Sequence, residues 1–467
     1  MSLNSIMQIG KSGLSAYRVA TEITGENIAN VNTPGYSRQR AILETAPQSA
    51  INGFSLGTGV SVTGVQRFYD GLLQQQMVTA QTTLGYDSTS SNVLQQIEPT
   101  FNEVTTNGLG DAISKFFGSW QDLSLNPTGT AERQAVLTTA QNVVDNFHSI
   151  SKTLSDTVAA QNSSLTPLTD SINATLNSIA QLNGQIKTTQ MTSGNANELK
   201  DQRDQLIQDL SKQVGITYTE NSDGTTDVNY TDASGTYALV SGSKAGAFSL
   251  DKITNPNSYA VQLTAAGSAG PATTVAPTQG ALGATLALRD TIIPGYQKQV
   301  DLLATTIATK VNAQQTSGAD LTGATGIALF DPATSSAATI AINPAVTSTN
   351  QIAAAASGSP AMSGDNSNAL AMAGLLNDTS TMGGSTFNGY YNTLVSKVGL
   401  DVQSSQNTVS RDEAFSNQLS TLRESNSGVS LDEELTNLVT YQRSYQASSK
   451  IITTATDMMD TVLGLIS

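Results

Sequence analysis

The chain has no cysteine, which excludes disulfides, thiolate metal sites and cysteine nucleophiles. It has one histidine, His148, so no multi-histidine centre can form. Charge is sparse at 13% of residues and aromatics are 5%. Basic residues are the scarcer sign: 22 Lys and Arg against 37 Asp and Glu leave a formal charge of −15, a poor match for nucleic-acid phosphates or an anionic membrane surface. No apolar run approaches the ~20 residues of a membrane span. The opening stretch, Met1 to Ile23, contains no signal-like apolar core, so export is expected to use neither a cleaved signal peptide nor a membrane anchor.

What the chain does have is length, 467 residues, and an abundance of Ser, Thr, Ala, Asn and Gln, a composition similar to that of assembled extracellular proteins. From Leu3 to Val31 the positions Leu3, Met7, Leu14, Tyr17, Ile28 and Val31 fall on one helical stripe, with Gly10, Thr21 and Thr24 in its gaps. Asn30-Val31-Asn32-Thr33-Pro34-Gly35-Tyr36 should end that helix, with Pro34-Gly35 at the centre of a type II turn. Extended segments are expected at Arg38 to Thr45 and Val60 to Phe68.

Between Tyr69 and Val214 the pattern is helical, broken near Pro99, Gly108, Pro127 and Gly194. From Ile216 to Ala284 it turns to Gly, Thr, Asn and Tyr with short β-prone pieces and a turn at Asp223-Gly224, which reads as a small antiparallel insert. Helices resume from Leu286 to Gln315, Asn368 to Leu376 and Tyr390 to Leu422, while Thr316 to Gly364 carries no clear pattern.

Ser430 and Glu433 fit a capping box opening a final helix free of Gly and Pro from Leu431 to Leu463, about 50 Å long. Every seventh residue is apolar: Leu431, Leu438, Tyr445, Ile452, Met459 and Ile466. The companion row is expected four residues on, at Leu435, Gln442, Ser449, Thr456 and Leu463, polar in its middle. Such a stripe contributes about 1.5 to 3 kcal/mol per large side chain, against about 1 kcal/mol or more to order each residue. The terminal helices are therefore expected to order fully only when copies pack around an axis.

Candidate chemistry is thin. His148 is expected to pack or face solvent, and Ser149 with Lys152 and Ser241 with Lys244 are Ser-x-x-Lys matches without accompanying motifs. Asp223, Asp227 and Asp232 fit hairpin turns better than a cation loop. Asp201, Arg203 and Asp204 read as a solvated helix face or local ion pair. Phe116 and Trp120 read as core, and Asn366 and Asn368 as helix caps. No catalytic, cofactor-binding or metal-ligating residue is expected.

The stretch Asn27 to Gln39, containing Asn-Thr-Pro-Gly-Tyr-Ser-Arg-Gln, resembles the N-terminal signature of axial flagellar proteins, in the form carried by the hook-associated family of the hook-filament junction, the FlgK family. Ser427-Gly428-Val429-Ser430-Leu431-Asp432-Glu433-Glu434 followed by Tyr441, Gln442 and Tyr445 is similar to that family's end. Asp201 to Leu206, Arg289-Asp290, Val311 to Gln314 and Gly364 to Leu370 match internally, in order over most of the chain.

The resemblance implies a non-enzymatic, extracellular structural subunit, exported unfolded by the flagellar type III apparatus and assembled as a ring joining hook to filament. Its partners would be further copies of itself, the hook protein FlgE, the second junction protein FlgL, and the export chaperone FlgN on the C-terminal helix, with no cofactor, nucleic acid or membrane. The fold class is α+β, mainly α: terminal coiled-coil helices (1–45 with 425–467), an α-helical rod-like body (46–213 with 285–424) and a β-rich outer insert (214–284). The expected assembly residues are Leu3, Met7, Leu14, Tyr17, Ile28, Leu431, Leu438, Tyr445, Ile452, Met459 and Ile466. The signature turn comprises Asn30, Asn32, Thr33, Pro34, Gly35, Tyr36 and Arg38. The alternatives are another axial subunit, a secreted adhesin, or, from a different class, an envelope hydrolase.

Overall fold

A computed structural model describes residues 3–51, 54–101, 108–192, 194–252, 258–333, 336–358 and 364–465. Helix α1 (Leu3–Ala29) leads through the turn into a ribbon in which β1 (Gln39–Thr45) pairs antiparallel with β4 (Val60–Arg67), with a bulge after Ile42; β2 (Ser49–Ile51) and β3 (Phe54–Leu56) pair between them. The ribbon occupies the two stretches expected to be extended. Asp70 then caps α2 (Gly71–Ile97), its carboxylate accepting from the amides of Leu72 and Leu73.

Helices α3 (Leu109–Leu125), α4 (Thr130–Thr192) and α5 (Asn197–Gln213) follow, separated at the expected breakers. Helix α4 runs 63 residues, about 95 Å, with Pro167 inside it. Its two halves serve two cores. The first half packs with α3 through Phe116, Trp120, Val143 and Phe147, and with α7 (Ile293–Ser317), α8 (Ser367–Gly374) and the start of α9 (Phe387–Ser427). The second half packs through Leu165, Ile172, Leu176 and Ile179 with α5 and the strands.

Those strands form two small antiparallel sheets. One is β5 (Thr217–Glu220), β6 (Thr226–Asp232), β7 (Gly235–Ser241) and β8 (Lys244–Ala245) in that order. The other places β10 (Tyr259–Thr264) between β9 (Ala247–Lys252) and β11 (Thr273–Thr274). Asparagines of α4, ten or eleven residues apart, pin them. Asn173 exchanges two hydrogen bonds with the Phe248 backbone (2.7 and 2.8 Å), as a neighbouring strand would. Asn183 donates to the carbonyls of Thr226 and Gly242 and accepts from the Thr226 amide and Arg203. Asn162 accepts from the Tyr259 amide and from Arg289, which a π-helical turn (Leu288–Ile292) between α6 (Gly280–Ala287) and α7 swings inward.

The unpatterned stretch after α7 has little regular structure beyond the two-residue pairing of β12 (Gly318–Ala319) with β13 (Ala355–Ala356), yet it buries Leu329, Phe330, Ala337, Ile340 and Ile352 in the first core. Asn312 holds it by the same two-way bond, to the Phe330 backbone, and His148 Nε2 meets the Ile340 carbonyl at 2.7 Å. The carboxylates of Asp223, Asp227 and Asp232 all accept turn amides. The expected asparagine caps do not form. Asn366 donates to the Ser124 carbonyl and Asn368 to the Ala353 carbonyl, while Asp365 accepts from the amide of Ser367 at the start of α8. After α9, Gly428 to Ser430 leads into α10 (Leu431–Gly464), which returns along α1.

Candidate functional site

Helices α1 and α10 run antiparallel: Asn27 meets Glu434, Tyr17 stacks on Tyr441 with ring centroids 6.4 Å apart, and Gly10 lies against Ser448 and Ile452. On α10 the contact uses Leu438, Ile452 and Met459, half-buried, and a second row of Glu434, Tyr441, Ser448 and Ala455. That row lies three residues after each heptad position, as knobs-into-holes packing requires, so the expected row four residues on is corrected: Leu435, Gln442, Ser449, Thr456 and Leu463 are all exposed. Leu431 and Tyr445 are exposed as well, at 45% and 41%, and Ile466 lies outside the described residues.

On α1, Leu3, Met7, Leu14, Tyr17 and Ile28 flank the contact, half-buried, while its centre is Gly10, Gly13, Ala16, Ala20 and Ile23. Small residues decide the fit because the helices nearly touch there. A Cβ on Gly13 would sit 2.6 Å from Ser448 Oγ, and one on Gly10 would sit 2.7 Å from Ile452 Cγ1 and 3.2 Å from the Ser448 carbonyl.

The signature turn closes this pair at its inner end. Tyr36 donates its amide to the Thr33 carbonyl at 3.2 Å and Gly35 has φ of +83°, the left-handed third position of a type II turn. Asn30 accepts from the Thr33 hydroxyl, and Asn32, Thr33 and Pro34 face solvent. Beneath them Asn27 fills all four hydrogen-bond positions. It accepts from Tyr36 Oη (2.8 Å) and the Gln39 amide (2.9 Å), and donates to the Gln39 carbonyl (2.8 Å) and Glu434 Oε2 (3.0 Å).

Glu434 is 2% exposed, and its other oxygen takes Arg38 Nε at 2.7 Å; Arg38 Nη1 reaches Glu433 at the same distance. The capping box read at Ser430 and Glu433 therefore does not form. The Ser430 side chain makes no cap bond, and Glu433 turns outward to Arg38.

The turn is also tied to the body. Ser37 donates its amide and hydroxyl to Asp201, each at 2.8 Å, and Arg67 Nη1 bridges Asp201 and Asp204 at 2.8 and 2.9 Å. Of the two readings for Asp201, Arg203 and Asp204, the solvated face is corrected, since all three are buried, and the ion pair holds: Arg67 bridges the two carboxylates and Arg203 Nη2 lies 3.8 Å from Asp204 Oδ1. Arg203 also donates from Nη1 to the Gly224 carbonyl at 2.6 Å. Burial disfavours the Arg67 charge, but Asp204 and Asp201 outweigh it and hold the guanidinium above its ordinary range. From α9, Arg423 donates to the Gly35 carbonyl, and the Ser427 carbonyl accepts the Arg38 amide.

These carboxylates are spent on guanidinium, amide and hydroxyl donors. Among the described residues no group of three or more His, Cys, Asp or Glu could hold a metal ion, and no helix is long and apolar enough to cross a membrane. The arrangement holds two chain ends in fixed register and fixes their angle to the body. Sequence reasoning missed the small-residue seam and the Asp201 and Arg67 anchor; the Gly10-x-x-Gly13-x-x-Ala16 spacing was the available signal for the first.

Residues 94–330, just over half of the chain, match the family model of the flagellar hook-associated protein FlgK helical domain. Residues 7–36 match a flagella basal body rod protein model and 423–465 the flagellar basal body rod FlgEFG protein C-terminal model. The chain is 27% identical to flagellar hook-associated protein 1 of Bacillus subtilis, covering 98% of this chain and 97% of that protein. It is also 27% identical to the Escherichia coli protein of that name, covering 99% and 100%. The solved flagellar hook junction protein FlgK of Burkholderia pseudomallei superposes with a TM-score of 0.66 at 18% identity, over 75% of this chain and all of that one, a likeness of fold.

Proposed function

Because the chain belongs to the FlgK family of flagellar hook-associated proteins, we propose that this structural subunit of the external flagellum is built into the hook-filament junction through its α1–α10 pair. The family is structural and is not known for enzymes; its members associate with other components of hook and filament. On this reading, 1–45 with 425–467 forms an inner assembly domain, 46–213 with 285–424 a body, and 214–284 an outer insert. Copies form a ring between the hook protein FlgE and the second junction protein FlgL. The chain leaves the cell unfolded by the type III route, with FlgN guarding the C-terminal helix until then.

The observation that carries the reading is the surplus of the inner pair. The closest part of its seam is Gly, Ala and Ser, and Leu431, Leu435, Val439, Ile451 and Met458 stay exposed on one helix. Exposed apolar side chains of that density mark an association surface. Ile452→Asp breaks the seam itself, whereas Leu435→Asp touches only the outward face. Both variants should fail to join hook-attached junctions while the emission of Trp120, buried in the body, stays native. Normal incorporation of Leu435→Asp would refute the reading.

A further inference from the structure

The inner pair reaches the body by two routes, and each passes a pair of facing carboxyl groups. On the first route α9 lies against α2 with thin apolar contact: Met77, Ala80 and Leu419, edged by Leu73. One turn on, Gln81 donates to Ser416 Oγ at 2.8 Å, and beyond it Asp87 of α2 faces Asp412 of α9. Asp412 Oδ1 accepts from Arg411 Nε at 3.2 Å, but its Oδ2 is shut off from solvent with no donor. A buried carboxylate oxygen left bare is costly. Asp87 can satisfy it only by carrying a proton. Burial, then the bond to Asp412 and its charge, push the Asp87 carboxyl up to about 6 against the opposing pull of Arg411. Of the other titratable groups in the cleft that Asp87 lines, the Tyr296 phenol and the Lys397 ammonium are both engaged with Asp401.

On the second route Glu26, near the end of α1, faces Glu198 in the first turn of α5. Both line a cleft with Pro34, Tyr36, Asp201 and Leu206, and among the described residues no basic side chain lines it. The bond to Glu198, then burial, then its charge, push Glu26 up to about 6. Of the other titratable groups facing it, the Tyr36 phenol is engaged with Asn27, and Asp201 with Ser37 and Arg67.

We propose that these two pairs are proton-operated clasps: each closes when its carboxyls share one proton and loosens when both are charged, so the inner pair is held stiffly in acid and more freely at neutral pH. The inference concerns this fold alone and does not depend on the assembly reading. Its sign follows from linkage. A carboxyl that titrates higher folded than unfolded stabilises the contact below its ordinary range, and that stability is lost as pH rises through about 6. For Asp87 the full effect between pH 5 and 7.5 is about tenfold, reduced to about three- to tenfold by its partial exposure.

The test is amide hydrogen exchange of the full chain, corrected for intrinsic pH dependence, at pH 5 and 7.5. Protection in α2 and in residues 403–427 of α9 should fall about three- to tenfold with rising pH, while α3 and the first half of α4 stay constant. Asp87→Asn, whose amide donates to Asp412 at either pH, should abolish the fall. Glu198→Gln should abolish the matching fall at the end of α1. Should Asp87→Asn lose the native emission of Trp120, Asp412→Asn supplies the same readout. A pH-independent wild type, a wild-type fall in both Asp87→Asn and Asp412→Asn, or a wild-type fall at the end of α1 in Glu198→Gln overturns the proposal.

Discussion

Removing Arg38 tests whether the buried Glu434 carboxylate sets the register of the α1–α10 pair. Arg38 bonds two carboxylates at 2.7 Å, but they are unequal: Glu433 is 61% exposed and Glu434 2%. The exposed bond is worth about 0–1 kcal/mol. Stripping a buried carboxylate of its cation costs about 3–5 kcal/mol. Glu434 keeps Asn27 at 3.0 Å and sits in the first turn of α10, where the helix dipole favours it, which argues for the low end.

Arg38→Met should therefore cost about 3 kcal/mol, roughly a hundredfold or more in hydrogen-exchange protection of residues 431–441 and the second half of α1. Glu433→Gln should change it less than about threefold. The double variant Arg38→Met with Glu434→Leu removes the orphaned charge and should recover most of the loss. If Arg38→Met costs less than about fivefold, or the double variant loses the product of the two singles, Glu434 is not the register-setting group.

Gly13→Val probes the close approach. Its Cβ would press on Ser448 Oγ at 2.6 Å, so overpacking should cost the inner pair about 1–3 kcal/mol, and Ser448→Gly on that background should restore it. Thermal melts followed by circular dichroism suffice; a double variant no more stable than the single contradicts the packing. Asn183→Ala deletes four hydrogen bonds in a fully buried site and should lower protection of β6 and β7 by about 3 kcal/mol or more, leaving Trp120 emission unchanged. Ser178→Ala, exposed on the same helix, should do nothing.

Which parts of this architecture are legible in the sequence depends on whether large side chains or small ones decide them. Pro99, Gly108, Pro127 and Gly194 act on the local backbone, so the helix breaks are readable directly. The turn at Pro34-Gly35 is readable for the same reason. The inner seam is not, because hydrophobic periodicity follows Leu3, Met7 and Leu14, whereas contact follows what lets two backbones approach, at Gly10, Gly13 and Ala16. On α10 hydrophobic patterning favours Leu435 over Glu434 for the second row, because a charge looks wrong in a seam until Asn27 and Arg38 are seen around it. Those partners lie about 400 positions away, and Ser37 meets Asp201 across 164. Local patterning carries no trace of such pairings.

The composition of the seam has a consequence for assembly. Contacts among Gly10, Gly13, Ala16, Ala20, Ser448 and Ala455 remove little apolar area from water, and most of what α10 could bury remains outside. Leu431, Leu435, Val439, Ile451 and Met458 are 39–50% exposed, so covering them gains about 1 kcal/mol each, or about 5 kcal/mol per chain. That is a large share of what stabilises a domain. The small seam settles how closely α10 lies on α1, and the knot of Asn27, Arg38 and Glu434 settles its rotation, so together they set the direction in which those side chains point. On the assembly reading, a neighbouring copy then meets a preset apolar face. Loosening the knot should impair incorporation even when every outward-facing residue is intact, and Arg38→Met incorporated as efficiently as wild type would separate register from assembly.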